Sequence, residues 1–361
     1  MSDVSIGLWG GVGVVFLLSA VLTWALRLYA LRQGLIDTPN SRSSHLRATP
    51  RGGGLAFILV YLSALLWLQG FPPPGLESAP RLSLVLLGCG GAVAIIGFID
   101  DHRDLSARVR FMVHIAAAGV AVWILGTPQI LLGDWAVPGG WWLSLLFVLA
   151  LVWLLNLYNF MDGIDGIARM QAISVLCGAS LILVVNRSDP QALFWLLPLA
   201  SGVAGFLLWN WPPAKIFMGD AASGFLGFSL GVLACYSAQL YPISVWSWLI
   251  LLGLFVVDAS WTLAVRVVNG EKWYQPHAKH AYQILARRRQ AFWEGRGMAP
   301  EQARGRAHKW VVAWGLGINL FWLIPLAWLA SVFPGYGLAL AVSAFLPLLY
   351  AQRRLGAGKE A

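Results

Sequence analysis

The sequence predicts an all-α integral membrane protein of about eleven transmembrane helices, and three observations carry that prediction. Of its 361 residues 58% are hydrophobic and only 11% charged, where a soluble domain has about 25% charged residues. Apolar runs repeatedly approach the ~20 residues that a helix needs to cross the hydrocarbon core. The basic residues sit in short segments between those runs, almost all on one side. Runs bounded by charges or by Pro and Gly place spans at 6–28, 52–69, 82–99, 109–126, 141–158, 168–186, 191–209, 220–238, 245–265, 310–330 and 335–350. Residues 1–361 read as a single polytopic domain, with 266–309 as its largest extramembrane loop. Twenty tryptophans suit headgroup-level anchoring.

Eleven spans put the termini on opposite sides. With the N-terminus outside, the segments left inside hold 23 of the 25 Lys and Arg residues, and only Arg81 and Arg187 remain outside. That asymmetry sets the orientation, C-terminus inside. A net charge of +9 alone would suit a nucleic-acid binder, but its spread over inter-span segments argues against nucleic acid. Cys89, Cys177 and Cys235 fall inside apolar runs and read as small buried hydrophobes. The start MSDVSIGLW lacks a basic n-region, so no cleavable leader is expected.

The acids are concentrated at the inner ends of spans. In GFIDDHRDL, Asp100 and Asp104 share a helix face and Asp101 is turned aside by about 100°. Such clustered carboxylates call for a divalent cation or a shared proton, unless Arg103 and Arg108 simply neutralise a solvated helix end. In NLYNFMDGIDG, Asn156, Asn159, Asp162 and Asp165 recur every three residues, while Gly163 and Gly166 interrupt the helix and let backbone approach a ligand. In WPPAKIFMGDAAS, prolines end a helix, Lys215 offers a phosphate-binding cation, and Asp220 is either a ligand or a helix cap. Trp273 to His280 bring His277, Lys279 and His280 together ahead of an arginine run that is mainly a topology signal touching anionic lipid. In SRSSHLRATPRGGG, His45, Arg47 and Arg51 flank three glycines that serve a turn or close contact equally well. Asp258, the one acid well inside a span, either faces the same cleft or bonds neighbouring helices.

One cleft at one interface would gather carboxylates, amides, a lysine and imidazoles. Hard oxygen donors beside basic groups suit Mg²⁺ with a diphosphate. No P-loop, GxGxxG turn or HExxH occurs, which removes ATPase, dinucleotide and zincin readings. A transporter would need broken or charged helices at mid-membrane in both halves and an internal repeat, and neither is evident apart from Asp258.

These stretches resemble, in order, those of the polyprenyl-phosphate N-acetylhexosamine-1-phosphate transferases: PRGGG at 50–54, DDxxDL at 100–105, NxxNFxDGxDG at 156–166, PAKIFMGD at 213–220 and the histidines at 277 and 280. The resemblance implies a helical enzyme of the bacterial inner membrane with a periplasmic N-terminus and a cytoplasmic active site. It implies transfer of N-acetylhexosamine 1-phosphate from a UDP-sugar to undecaprenyl phosphate with loss of UMP, using Mg²⁺, with Mn²⁺ as the alternative ion. Ala222 stands where the family usually has glycine, and His277-Ala278-Lys279-His280 is sparser than the triple histidine of the peptidoglycan branch. DDxxDL in place of DDxxK likewise points to the O-antigen or common-antigen branch rather than to phospho-muramoyl-pentapeptide transfer. On this reading Asp220 and Asp101 hold the metal, Asp100 positions or deprotonates the lipid phosphate, and Asp162, His277 and His280 complete the catalytic set. Asn156, Asn159, Asp165, Lys215, His45, Arg51 and Lys279 bind substrate. A homodimer is compatible with the sequence, which does not itself report an oligomeric state.

Overall fold

A computed structural model describes residues 2–37, 48–73, 79–103, 105–272 and 277–359. The apolar runs become helices because a chain in lipid must satisfy its own backbone hydrogen bonds. In chain order the helices are α1 (Ser2–Gln33), α2 (Leu55–Gly70), α3 (Pro80–His102), α4 (Ala107–Leu125), α5 (Trp141–Phe160) and α6 (Ile167–Val185). They continue with α7 (Pro190–Asn210), α8 (Asp220–Leu240), α9 (Val245–Leu251), α10 (Gly253–Val268), α11 (Ala281–Glu294), α12 (Pro300–Val332) and α13 (Pro334–Leu355).

Among the described residues nine of these are long and apolar enough to cross a bilayer, and α9 with α10 forms an apolar pair of comparable length, bent by 73°. The predicted run at 52–69 becomes the 16-residue apolar helix α2, which is shorter than those nine. The chain is an all-α, multi-pass membrane protein. Among the described residues strand is confined to two short antiparallel ribbons, Ile36–Asp37 with Thr49–Pro50 and Leu131–Leu132 with Trp135–Ala136.

Two details differ from the sequence reading. The segment 266–309 contains α11 and the first turns of α12, which continues unbroken from Pro300 into its membrane portion. Ala303, Ala307 and Val311 are buried at helical spacing, so the polar start of α12 carries its own packing stripe. Cys177 is exposed on the outside of the bundle, whereas Cys89 and Cys235 are buried as expected.

The centre of the bundle is α8, with 83% of its apolar window buried against 22% for α1 and 17% for α13. Hydrogen bonds to backbone carbonyls tie neighbours together. Ser19 Oγ donates to Gly202 O at 2.6 Å and Trp209 Nε1 to Ala20 O at 2.9 Å, joining α1 to α7. The break between α9 and α10 frees the Leu251 carbonyl, which accepts from Gln171 Nε2 at 3.2 Å. Gln171 Oε1 in turn accepts from Asn319 Nδ2 at 2.7 Å, so α6 and α12 brace the bend.

The contact of α3 with α8 positions the site. A Cβ on Gly97 would lie 2.5 Å from Ala221 Cα and 2.8 Å from Ala221 N, so backbone touches backbone where α8 begins. Gly97→Val should therefore cost about 1–3 kcal/mol through overpacking and lower the melting temperature in detergent. Gly88→Val on the same helix, with nothing within 4 Å of its Cβ, should leave that temperature nearly unchanged.

Candidate active site

The glycine run serves close contact. Gly53 and Gly54 donate backbone N–H groups to Phe217 O and Met218 O at 2.9 and 3.0 Å, and Phe217 N donates to Pro50 O at 2.8 Å. A Cβ at Gly54 would fall 2.2 Å from Ala222 Cβ, so the residue must be glycine for the two segments to lie side by side. This pairing delivers Arg51 between two acids, with Nη2 2.7 Å from Asp101 Oδ1 and 2.8 Å from Asp220 Oδ1. Asp101 also accepts from the backbone N–H groups of Asp220 at 3.0 Å and Ala221 at 3.2 Å. It caps α8 from another helix, where the orphan N–H groups and the positive end of the helix dipole favour a carboxylate.

Side-chain exposure separates the acids by task. Asp165 is 3% exposed, Asp101 5%, Asp100 10% and Asp162 16%, but Asp220 is 32% exposed. Asp220 is thus the carboxylate with room to meet a ligand. Asp100 accepts from the Leu105 N–H at 3.0 Å and is ion-paired with Arg110 of α4, not with Arg103 or Arg108. Asp100, Asn156, Asn159 and Asp220 line, with Arg108, Arg110 and His114, a cavity of ≈520 Å³ whose wall is otherwise largely apolar. Asn156 also donates to Val152 O at 2.7 Å within its own helix.

The polar strip after α5 does not present all its members to one ligand. Gly166 at φ +79° starts α6 after the break. Asp162 is ion-paired with the buried Arg169, which also donates to Asn210 Oδ1. That oxygen accepts from Gly166 N at 2.9 Å as well, and Asn210 Nδ2 donates to Ile216 O at 2.8 Å. Burial raises the Asp162 carboxyl to about 6 despite Arg169, and the nearby charges of Asp220 and Asp165 push the same way. Asp165 faces inward, 3.2 Å from His308 Nδ1, and accepts from Ala214 N at 3.2 Å. Burial works to raise its carboxyl, but the His308 hydrogen bond, the charges of His308 and Arg304 and the Ala214 amide hold it below the usual range. Asp165 thereby locks the loop before α8 to α12.

The histidines reach this centre through Asp258. Its carboxylate accepts from Ala281 N and Tyr282 N at 3.1 and 3.2 Å, lies 3.2 Å from His280 Nδ1 and accepts from Thr262 at 3.3 Å. Asp258 caps α11 as Asp101 caps α8. Tyr282 Oη then accepts from Gly163 N at 2.9 Å and donates to Phe160 O at 3.1 Å. His280 is 3% exposed, and the more open His277 lies beside it with its ring tilted by 33°, ring centroids 4.8 Å apart. The two rings meet without being helical, because α11 begins only at Ala281. Lys279 is paired with Glu271 at 2.8 Å. The exposed Lys215 lies 5.4 Å over the Trp209 ring. His45 and Asp104 lie outside the described residues.

Arg110, Arg169, Asn210 and His308 were not singled out by sequence reasoning. The arginines were counted only for topology, and Asn210 and His308 have no motif around them. The usable signal was positional, since each is a polar group at the inner edge of an apolar run. Among the described residues no three His, Cys, Asp or Glu side chains form a ready metal cage.

Burial, followed by the charges of His280, Arg266 and Lys279, lowers His277 from 6.5 to about 4. The folded protein therefore favours neutral imidazole, and the unfolded chain binds more protons between those values. Stability of the ligand-free protein should be fully present above pH 6.5 and fall as pH drops towards 4. Between pH 6.5 and 4 the melting temperature of wild type should fall more steeply than that of His277→Gln. Parallel curves would remove His277 as the titrating group.

A sequence model described as "Glycosyl transferase family 4" matches residues 83–238, which include Asp100, Asp101, the 156–166 strip and Asp220. A probable undecaprenyl-phosphate N-acetylglucosaminyl 1-phosphate transferase of Bacillus subtilis is 31% identical over 278 residues, covering 73% of each chain. An undecaprenyl-phosphate alpha-N-acetylglucosaminyl 1-phosphate transferase of Thermotoga maritima is 28% identical over 272 residues, covering 75% of this chain and 80% of that one. The Escherichia coli K12 protein of the same name is 26% identical over 296 residues, 77% of each. On the match to that family model and the 31% identity over 73% of the Bacillus subtilis protein, the chain belongs to glycosyl transferase family 4.

Proposed function

We propose that the protein transfers N-acetylglucosamine 1-phosphate from UDP-N-acetylglucosamine to undecaprenyl phosphate, on the cytoplasmic face of a bacterial inner membrane with its N-terminus in the periplasm. The observation that carries this reading is the meeting of one open carboxylate, Asp220, with an apolar-walled cavity whose polar end holds Asp100. A water-soluble diphosphate and a lipid phosphate need such a junction. The names of the relatives support the sugar and the lipid, and the inside bias of Lys and Arg supports the side. The sequence departures described above favour the O-antigen or common-antigen branch.

An oxygen of the lipid phosphate attacks the sugar-proximal phosphorus, the bond to UMP breaks, and the anomeric bond is untouched. The donor set fits Mg²⁺, which is commonly held by one or two carboxylates plus substrate phosphates rather than by a protein cage. Bound Mg²⁺ supplies charge neutralisation on the diphosphate. Asp220 is its protein ligand, while Asp101 fixes the start of α8 and so the direction of the Asp220 side chain. Asp100 orients the lipid phosphate, whose second pKa near ~6 demands little base strength. Arg51, Lys215 and His277 face the donor phosphates and Asn159 faces the nucleotide, whereas Asp162, paired with the buried Arg169, holds the turn after α5. Asp165, His280 and Lys279 act one layer out, through His308, Asp258 and Glu271. Arg288 and Arg289 of the arginine run are engaged internally, by Leu355 O at 3.2 Å and the Trp310 ring at 3.8 Å. The exposed Arg353 and Arg354 are the better contacts for anionic lipid.

Membranes or purified protein given undecaprenyl phosphate and a panel of UDP-N-acetyl sugars should release UMP and form a lipid-diphospho-sugar only when Mg²⁺ is supplied. Product formed solely from the muramoyl-pentapeptide nucleotide, or uptake of intact nucleotide sugar without UMP, would overturn the assignment. Asp220→Asn should lower turnover by at least ~100-fold in folded protein, since even outer-shell changes at metal sites commonly cost 10–100-fold.

A further inference from the structure

Arg110 and His114 lie four residues apart on α4 and therefore share a helix face. Both line the cavity that ends at Asp100, Asn156, Asn159 and Asp220. Arg110 is the ion-pair partner of Asp100. His114 stands one turn further into the membrane, about 10 Å from the start of α4 at 1.5 Å per residue. An ionisable side chain at that depth is costly and rare unless it meets a polar group or a pathway. The wall it shares with Phe111, Leu149, Val152 and Trp153 is largely apolar, and the charges that act on it are those of Arg110 and Asp100. Among the described residues no hydrogen bond to its ring is formed.

We propose that Arg110 and His114 form the phosphate-recognition end of the acceptor cavity. An incoming lipid phosphate shares the Arg110 guanidinium with Asp100 and takes a hydrogen bond from the His114 imidazole, while its isoprenoid chain follows the apolar wall out to the bilayer. This rests on the transfer reaction proposed above and adds to it the residues that distinguish a polyprenyl phosphate from other long isoprenoids. A volume of ≈520 Å³ is that of a small-ligand pocket, so it holds the head and the first isoprene units only. A site built to hydrogen-bond a polar group rejects analogues that lack it far more strongly than an apolar pocket rejects a missing methylene. Discrimination between undecaprenyl phosphate and undecaprenol is therefore the property that Arg110 and His114 should control.

The test uses the full-length protein in detergent and two readouts. In steady-state transfer, His114→Ala should raise KM for undecaprenyl phosphate about tenfold, one good hydrogen bond to a charged group being worth roughly that factor. KM for UDP-N-acetylglucosamine should stay within about twofold, and His114→Asn should recover part of the loss. In direct binding without nucleotide sugar, His114→Ala and Arg110→Gln should each weaken undecaprenyl phosphate while leaving undecaprenol unchanged, which also shows that the cavity is intact. Equal loss of both lipids, a rise in KM for both substrates, or wild-type discrimination in His114→Ala would each overturn the proposal and leave His114 a packing residue. If wild type itself releases no UMP, the transfer reading fails, while the lipid-binding comparison still judges the recognition site.

Discussion

Two carboxylates, each sent from the inner part of one helix to the first backbone N–H groups of another, hold this site together. Asp101 of α3 binds the start of α8, and Asp258 of α10 binds the start of α11. Helix starts carry orphan donors and partial positive charge, and near lipid they have less water to satisfy them. A carboxylate placed there meets its own need for donors as well. The result is mutual: α8 is pinned where Asp220 begins it, and α11 is pinned where His280 precedes it. Either acid alone reads as a helix cap, yet Asp101 joins segments more than a hundred residues apart and Asp258 joins segments 22 to 24 residues apart.

The positive groups divide along the same line. Arg169 is buried and spent on Asp162 and Asn210, so it stabilises the turn that follows α5. Arg51 and Arg110 are about one-third exposed and touch Asp220 and Asp100, respectively. An ion pair at that exposure contributes little to folding, and its partners are free to exchange for a phosphate oxygen. Buried pairs hold the frame and open pairs face the ligand. Side-chain exposure, more than charge, distinguishes the two.

The helical, multi-pass character and the order of the apolar helices were legible because the apolar runs have the right length and the intervening segments carry the charges. The acidic stretches were legible because glycines and amides interrupt otherwise continuous apolar sequence. What was not legible was the division of labour inside each stretch. Asp162 and Asp165 are three residues apart in one motif, yet one lies against Arg169 and the other is turned inward to His308. Those partners come from α6 and α12, and a local pattern holds no record of them. The role of Asp258 was undecidable for the same reason, since its partners lie 22 to 24 residues later.

The bent span explains why an acid is tolerated at Asp258. A straight helix through this region would leave the Asp258 carboxylate facing apolar neighbours, at a cost of several kcal/mol unless it were protonated. The 73° break at Leu252 redirects α10, and α11 then starts against its side. Gln171 and Asn319 satisfy the carbonyl that the break releases. Bend, brace and cap thus form one arrangement, in which a polar pair on α6 and α12 allows α10 to tilt, and the tilt lets Asp258 receive the helix that carries the histidines. The histidine segment is held to the membrane bundle through this chain of contacts and through the Tyr282 hydroxyl at Gly163. The extramembrane histidine segment is thereby bonded directly to the turn after α5 that carries Asp162.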